Sequence, residues 1–300
     1  MAESGGRGVL RRFLLEQHPV RGHHVDLGAA WQELRGLHVY PPAVEALLGE
    51  TVAAAVLLAA TLKFQGRLTL QFTGHGGVSL LVAQCTHDFR IRAVAQYAES
   101  VPPLADFATL VGDGRLAVTI ESGEPGNRYQ GIVPLDAAGI APSLEAYFAS
   151  SEQLPTRLRL MAHGERVAGL LVQRLPAPSG GEHDAARIAE VWDRVQASLK
   201  TIAAEELLLP AEQLLPRLSG EFDCRLFEGT GVEFHCGCSA ERVANMLRSL
   251  GIAELRDIVR EQGSVTVSCE FCRRDYRLDA IDVEGLFNAV SATKPAVRLN

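Results

Sequence analysis

Four of the six cysteines stand in two tight pairs, Cys236-Gly237-Cys238 within "EFHCGCSAERV" and Cys269-Glu270-Phe271-Cys272 within "VSCEFCRRDY". No other feature restricts the fold as much. A C-x-x-C turn aims two sulfurs at one point, and zinc takes four such ligands in a tetrahedron. In the C-x-C pair, side chains at i and i+2 share a face of extended chain, so this pair can chelate as well, and Gly237 removes the side chain between them. The intervening residues supply a way to bring the pairs together. Ser239 is a good N-cap for a helix with Val243, Met246, Leu247 and Leu250 on one face and Gly251 at its end. "AELRDIVREQG" predicts a second helix closed by Gly263, and "VTVSC" a strand that carries the second pair back. Residues 231–300 therefore read as a zinc domain with Cys236, Cys238, Cys269 and Cys272 as ligands. The competing readings are His235 as a substitute ligand and four unconnected buried cysteines.

The spacing leaves open whether such a metal is purely structural or held so that it can be released. Zinc keeps thiols as thiolates, the nucleophilic form, and each pair can also close on itself as a disulfide. Losing two sulfurs removes half the ligands. In a small module the metal-binding energy is folding energy, about 10 kcal/mol or more, so release would unfold it.

The chain as a whole is long for one compact domain and comfortable for two. With 47% apolar and 22% charged residues among 300, it has material for a sizeable core. "YPPAVEALLGETVAAAVLLAATLKF" (40–64) predicts a helix apolar on all faces, hence buried, and the run Val52–Leu62 is too short to cross a bilayer. "GRLTLQFT", "VSLLVAQC", "FRIRAVAQY", "GRLAVTIES" and "RYQGIVPL" alternate as strands, with turns at Gly112-Asp113-Gly114 and Glu124-Pro125-Gly126-Asn127. "PSLEAYFASSEQL" predicts a helix and "TRLRLMAHGERVAGLLVQRL" a closing hairpin. Residues 1–178 thus read as an α+β domain, an antiparallel sheet with packed helices and no βαβ alternation. "PAPSGGEHD" (176–184) reads as a linker. Beyond it, Ile188, Val191, Val195 and Leu199 recur at helical spacing, and two prolines interrupt "TIAAEELLLPAEQLLPRLSG". Short helices are marginal without tertiary packing, so 179–230 is expected to be a helical linker region of low stability.

Charge and motifs narrow the function. A net charge of −7 argues against nucleic-acid and anionic-membrane partners, and residues 231–300 hold nine Lys and Arg against ten Asp and Glu. A zinc ribbon for nucleic acid is the first alternative, weakened by having only Arg273, Arg274 and Arg277 clustered. No P-loop, G-x-S-x-G, H-E-x-x-H or dinucleotide fingerprint occurs, and four cysteines leave no open coordination position, so an enzyme is not expected. A thiol oxidoreductase using Cys269-x-x-Cys272 is the second alternative, without the βαβ context it needs. Among nine histidines His23-His24 is the only pair, read as adjacent helical residues that do not converge. Cys85 reads as a small buried hydrophobe and Cys224 as a bystander outside the four-ligand pattern. With no secretory signal pattern at the start, a cytoplasmic, reducing location is expected, where clustered thiols are more often metal-binding or redox-active than bridged.

"FHCGCSAERV" and "SCEFCRRDY", together with "TLKFQGRLTLQ" (61–71), "TLVGDGRLAVTI" (109–120), "RYQGIVPL" (128–135), "YFASSEQLPTRL" (147–158) and "EELLLP" (205–210), resemble the redox-regulated, zinc-dependent bacterial heat-shock chaperones of the 33-kDa chaperonin family, across essentially the whole chain. The resemblance implies an ATP-independent holdase of the oxidative-stress response, inactive when reduced and carrying one zinc per chain. It implies that oxidant with heat or unfolding conditions joins Cys269 to Cys272, that zinc leaves and the linker region loses structure, and that Cys236 joins Cys238. It further implies a homodimer that binds unfolded or oxidatively damaged client proteins and later passes them to ATP-dependent foldases. Cys224 departs from this scheme.

Overall fold

The computed structural model describes residues 7–122, 128–136, 138–176, 182–220 and 222–291, and the chain divides into two compact units, up to His235 and from Cys236 onward. The expected turn at Glu124–Asn127 and the middle of the expected 176–184 linker lie outside the described residues.

The first unit opens with a hairpin of β1 (Gly8–Leu15) and β2 (Val20–Asp26), followed by α1 (Gly28–Arg35) and α2 (Pro42–Thr61). Next come β3 (Gly66–Thr73), β4 (Val78–Thr86), β5 (Arg90–Tyr97), the short α3 (Phe107–Val111), β6 (Arg115–Ser122) and β7 (Arg128–Val133). Then α4 (Ile140–Tyr147) runs through a π-turn at Phe148–Glu152 into the hairpin β8 (Thr156–His163) and β9 (Arg166–Arg174). The helical stretch holds α5 (Glu182–Thr201), a 3₁₀ turn (Ala204–Leu208) and α6 (Ala211–Ser219), and β10 (Cys224–Leu226) and β11 (Thr230–Phe234) close the unit.

Among the described residues these strands make one eleven-stranded sheet, ordered β7-β6-β3-β4-β5-β11-β1-β2-β9-β8, with β10 also beside β1. The α+β class and the antiparallel pairing read from the sequence hold, with one exception. Strand β11 returns from beyond the helical stretch and pairs in parallel with β5, Glu233 opposite Arg90 and Phe234 opposite Ile91. The His23-His24 pair lies on strand β2 rather than a helix, so the two side chains point to opposite faces.

Helix α2 is buried along most of its length because the sheet wraps it. Leu48, Ala53, Ala54, Ala55, Val56 and Leu57 have no exposure and pack with Leu68, Leu70, Phe72, Val167 and Leu171. It is the one described helix long and apolar enough to span a membrane, and it is the centre of this core. Gly49 sets how closely it approaches β8 and β9, since a Cβ there would lie 2.8 Å from Val167 Cγ2 and 2.9 Å from Ala162 Cβ.

The other face of β1, β2, β8 and β9 carries a second cluster. Phe13, Leu15, Val20, Met161, Ala168, Leu170 and Val172 are covered by Val191, Trp192, Val195 and Leu199 of α5, Leu207 of the 3₁₀ turn, and Leu214, Leu215 and Leu218 of α6. Strand β9 therefore alternates between two cores, Val167 and Leu171 on the α2 side, Ala168, Leu170 and Val172 on the other. Polar contacts also tie the helical cover to the sheet. His24 Nε2 bonds Leu207 O at 2.7 Å, Arg159 donates to Ile202 O at 2.9 Å, and Arg11 pairs with Glu212 at 3.1 Å. Where residues 208–212 cross the sheet they leave a cavity of about 440 Å³, lined in part by Arg7, Arg11, His24, Asp26 and Arg166. Pro216 sits inside α6, where it removes a backbone donor.

His23 is 4% exposed and its Nδ1 has no partner. Burial first, then the Arg21 and Arg12 charges, push its pKa from 6.5 down to about 4. The folded chain thus holds it neutral while the unfolded chain protonates it below 6.5. Its contribution is fully present above pH 6.5 and is lost as pH falls towards 4, on the order of 3 kcal/mol. Glu50 acts oppositely: burial raises its carboxyl from 4.5 to about 7, so stability is lost as pH rises through that window. Chemical denaturation of wild type and His23→Gln from pH 7 to 4 separates the two. Wild type should lose stability relative to the variant on acidification, and a constant difference would show that His23 is not held neutral.

The second unit contains α7 (Ala240–Leu250), α8 (Ile252–Gln262), the two-stranded ribbon β12 (Val265–Ser268) and β13 (Asp275–Leu278), and α9 (Ala280–Ser291). Ser239 caps α7 by accepting from Arg242 N at 3.2 Å, and Gly251 and Gly263 end the two helices at φ 92° and 78°, as the sequence predicts. The predicted apolar face of α7 is only partly used. Leu247 is buried, whereas Met246 and Leu250 are 44% and 45% exposed. Among the described residues the buried apolar core of this unit is Leu247, Leu255, Val265 and Val283.

Candidate metal centre

The ribbon and the capped helix bring the two cysteine pairs together. After β12 the chain turns at Cys269–Cys272, with Cys269 N donating to Arg274 O at 2.9 Å and Arg273 N to Cys269 O at 2.8 Å. Arg273 takes the left-handed conformation, φ 58°, that this turn needs, although it is not glycine. The other pair precedes α7 directly. There the Arg242 guanidinium bonds Gly237 O, and a Cβ at Gly237 would stand 3.0 Å from it.

All four Sγ atoms lie within 4.8 Å of one another. Cys236 Sγ is 3.6 Å from Cys269 Sγ, and Cys238 Sγ is 3.4 Å from Cys272 Sγ. Four sulfurs at a zinc–sulfur distance of about 2.3 Å would stand roughly 3.8 Å apart in a regular tetrahedron, so the donor set fits that ion in number, type and spacing. Four unconnected cysteines are excluded by this clustering. The His235 backbone N–H bonds Ile91 O at the end of β11, and its ring is not in the cluster. Cys85 is fully buried, and burial raises its thiol far above the ordinary range. Cys224 is half-buried on β10, where burial and then Glu16 push it up to about 11.

The sulfurs are not equivalent. Burial raises Cys238, but the Tyr276 hydroxyl, donating to its Sγ at 3.1 Å, and the neighbouring thiols outweigh this and bring it to about 7. Burial and then the other thiols push Cys272 up to about 12, and burial raises Cys236. One thiol therefore ionises readily and each further charge is opposed by the last, so a cation is what allows four thiolates to coexist. Tyr276 and Arg242 went unnoticed in the sequence. Tyr276 could have been found from the strand alternation of "RDYRL", which turns it towards the cysteines once the ribbon is drawn.

The profile of the Hsp33 protein family matches residues 9–279, which span both units and all four cysteines. The chain belongs to the Hsp33 family. Relatives include the 33 kDa chaperonin of Nitrosococcus oceani, 42% identical over 282 residues and 94% of each chain. That of Pseudomonas aeruginosa is 44% identical over 289 residues, covering 95% of this chain and 96% of its own. The crystal structure of the 33 kDa chaperonin (heat shock protein 33 homolog) from Thermotoga maritima superposes with a TM-score of 0.81 at 24% identity, over 95% of this chain and 99% of that one, a likeness of fold. The Hsp33 assignment makes this chain a member of a chaperone family whose named relatives are chaperonins.

Proposed function

We propose that this Hsp33-family chain is a redox-regulated, ATP-independent holdase that keeps thermally unfolding and oxidatively damaged proteins from aggregating in the cytoplasm. The observation that carries the reading is the S₄ cluster inside a unit with so small an apolar core. Cys236, Cys238, Cys269 and Cys272 would hold one zinc per chain in the reduced, inactive form. Bound zinc would keep all four sulfurs deprotonated and tie both pairs to one point. Peroxide, accepting two electrons, joins Cys269 to Cys272 as the two sulfurs lose them, and Cys236 joins Cys238 in turn. Half the donor set is gone after the first bond, and the metal is released.

The segment 179–230 is the element proposed to respond. Its interior proline and the cavity beneath it support low stability. Its loss would bare Phe13, Leu15, Leu170 and Val172 on the sheet and the apolar faces of α5 and α6, surfaces suited to unfolded clients and to a second copy of the chain. Clients pass to ATP-dependent foldases once reductant returns, and neither nucleic acid nor membrane is a partner.

Light scattering from a heat-unfolded client tests this. Reduced, zinc-loaded protein should leave the scattering unchanged, and protein treated with peroxide at raised temperature should suppress it while losing its metal. Equal suppression by both samples would defeat the switch.

A further inference from the structure

The sheet wraps α2, and where that helix ends, β3 and β6 on one side and β2 and β9 on the other border a cleft of about 310 Å³. Its walls are apolar: Leu58 and Leu62 at the end of α2, Leu68 of β3, Val118 and Ile120 of β6, and Phe148 of the π-turn. These belong to the α2 core, not to the cluster under the helical cover. The polar groups are few and held in place. Arg21 Nε and Nη2 donate to Gln173 Oε1 at 3.1 and 2.9 Å, and Nη2 also donates to Thr61 O at 3.4 Å. Gln173 is fully buried and its amide donates to Thr156 Oγ1 at 3.1 Å, which fixes the guanidinium in one orientation. Burial and then the Arg12 charge lower the Arg21 pKa, and among the described residues Nη1 has no acceptor and the side chain no carboxylate partner. The other polar group is built of acceptors. The Tyr129 and Tyr147 hydroxyls stand 2.7 Å apart, and Glu152 Oε1 lies 3.4 Å from each. One hydroxyl proton bridges the two oxygens and the other reaches Glu152, so lone pairs are all this group has left to offer. Gly131 makes room for it, since a Cβ there would lie 2.3 Å from the Tyr147 hydroxyl.

We propose that this cleft is a binding site for one amphipathic monocarboxylate, a hydrocarbon body of about ten to twelve carbons with its single carboxylate on Arg21. The head group follows from charge. A half-buried guanidinium without a counter-ion is costly, and one carboxylate both neutralises it and accepts from the two N–H groups of Nη1. The body follows from the walls and the volume, since a cavity of about 150 Å³ holds one benzene and this cleft has roughly twice that space. The Tyr129–Tyr147–Glu152 group sets the specificity. Its rings extend the apolar wall, while its oxygens, with no donor to spare, repel a second anionic group on the ligand. Leu62 and Tyr129 are 39% and 49% exposed and mark the mouth, so a ligand enters without unfolding the sheet.

Titration calorimetry on the reduced full-length protein, with decanoate as the probe, tests this. Decanoate should bind at one molecule per chain. Decanol, which lacks the charge, and decanedioate, which carries a second one, should each bind more weakly by about tenfold or more. Arg21→Gln should lose that factor for decanoate and keep the wild-type affinity for decanol, which also shows that the cleft is still formed. Leu62→Trp, at the exposed rim, should weaken both ligands by filling the space. Tighter binding of decylamine than of decanoate would make Glu152 the anchor and overturn the proposal. Uptake of many decanoates per chain, or equal affinity in wild type and both variants, would mean adsorption to apolar surface and overturn it as well.

Discussion

A metal chelator added to the fully reduced protein is expected to unfold residues 236–291 and leave the first unit folded. The second unit has four buried apolar side chains among its described residues, Leu247, Leu255, Val265 and Val283, around three helices and a four-residue ribbon. So small a core does not offset the conformational entropy of ordering that many residues, at roughly 1–2 kcal/mol each for the backbone alone. Structural zinc supplies about 10–16 kcal/mol in comparable modules. Hydrogen exchange should show amides of α7, α8 and β12 losing protection on chelation, with those of α2 and β3 unchanged. Cys272→Ser should behave the same way without chelator. Protection that survives metal removal would mean that the sulfurs are not what organises this unit.

The second large effect concerns the helical cover. Leu214 is fully buried in α6 against the outer face of the sheet. Leu214→Ala should cost about 2–5 kcal/mol through lost burial and the cavity left behind, and Leu214→Asp more, because it puts a charge into an apolar cluster. If this cover is what keeps the chaperone surface hidden, the reduced Leu214→Asp protein should suppress client aggregation with its zinc still bound, one per chain. Exchange of α5 and α6 amides reports whether the cover has lifted. Loss of that protection without any gain in suppression would separate the segment from client binding.

Much of the fold could be read where each strand buries one face. Leu68, Leu70 and Phe72 alternate cleanly with polar residues and gave β3 at once. The first hairpin was missed because it serves two cores. Leu10 points to the α2 side and Phe13 and Leu15 to the other, with Arg11 and Arg12 between them, so no period of two appears. Strands β10 and β11, of three and five residues, are too short for a pattern, and their places depend on β1 and β5 far away in sequence. At the metal centre the ligand types and spacing were legible because thiol chemistry demands them. Tyr276 was not, since its approach to Cys238 exists only once β12 and β13 pair.

The two-sided strand β9 has a consequence for recovery. A layer peeled from its outer face leaves the ladder, its register and the inner packing untouched, so the mould for that layer persists. Reassembly then requires local coiling, about a microsecond for an isolated helix, and a docking step, with only the three-residue β10 to pair again with β1. The return to rest would be timed by sulfur reduction and by the departure of whatever is bound, rather than by any search through chain conformations.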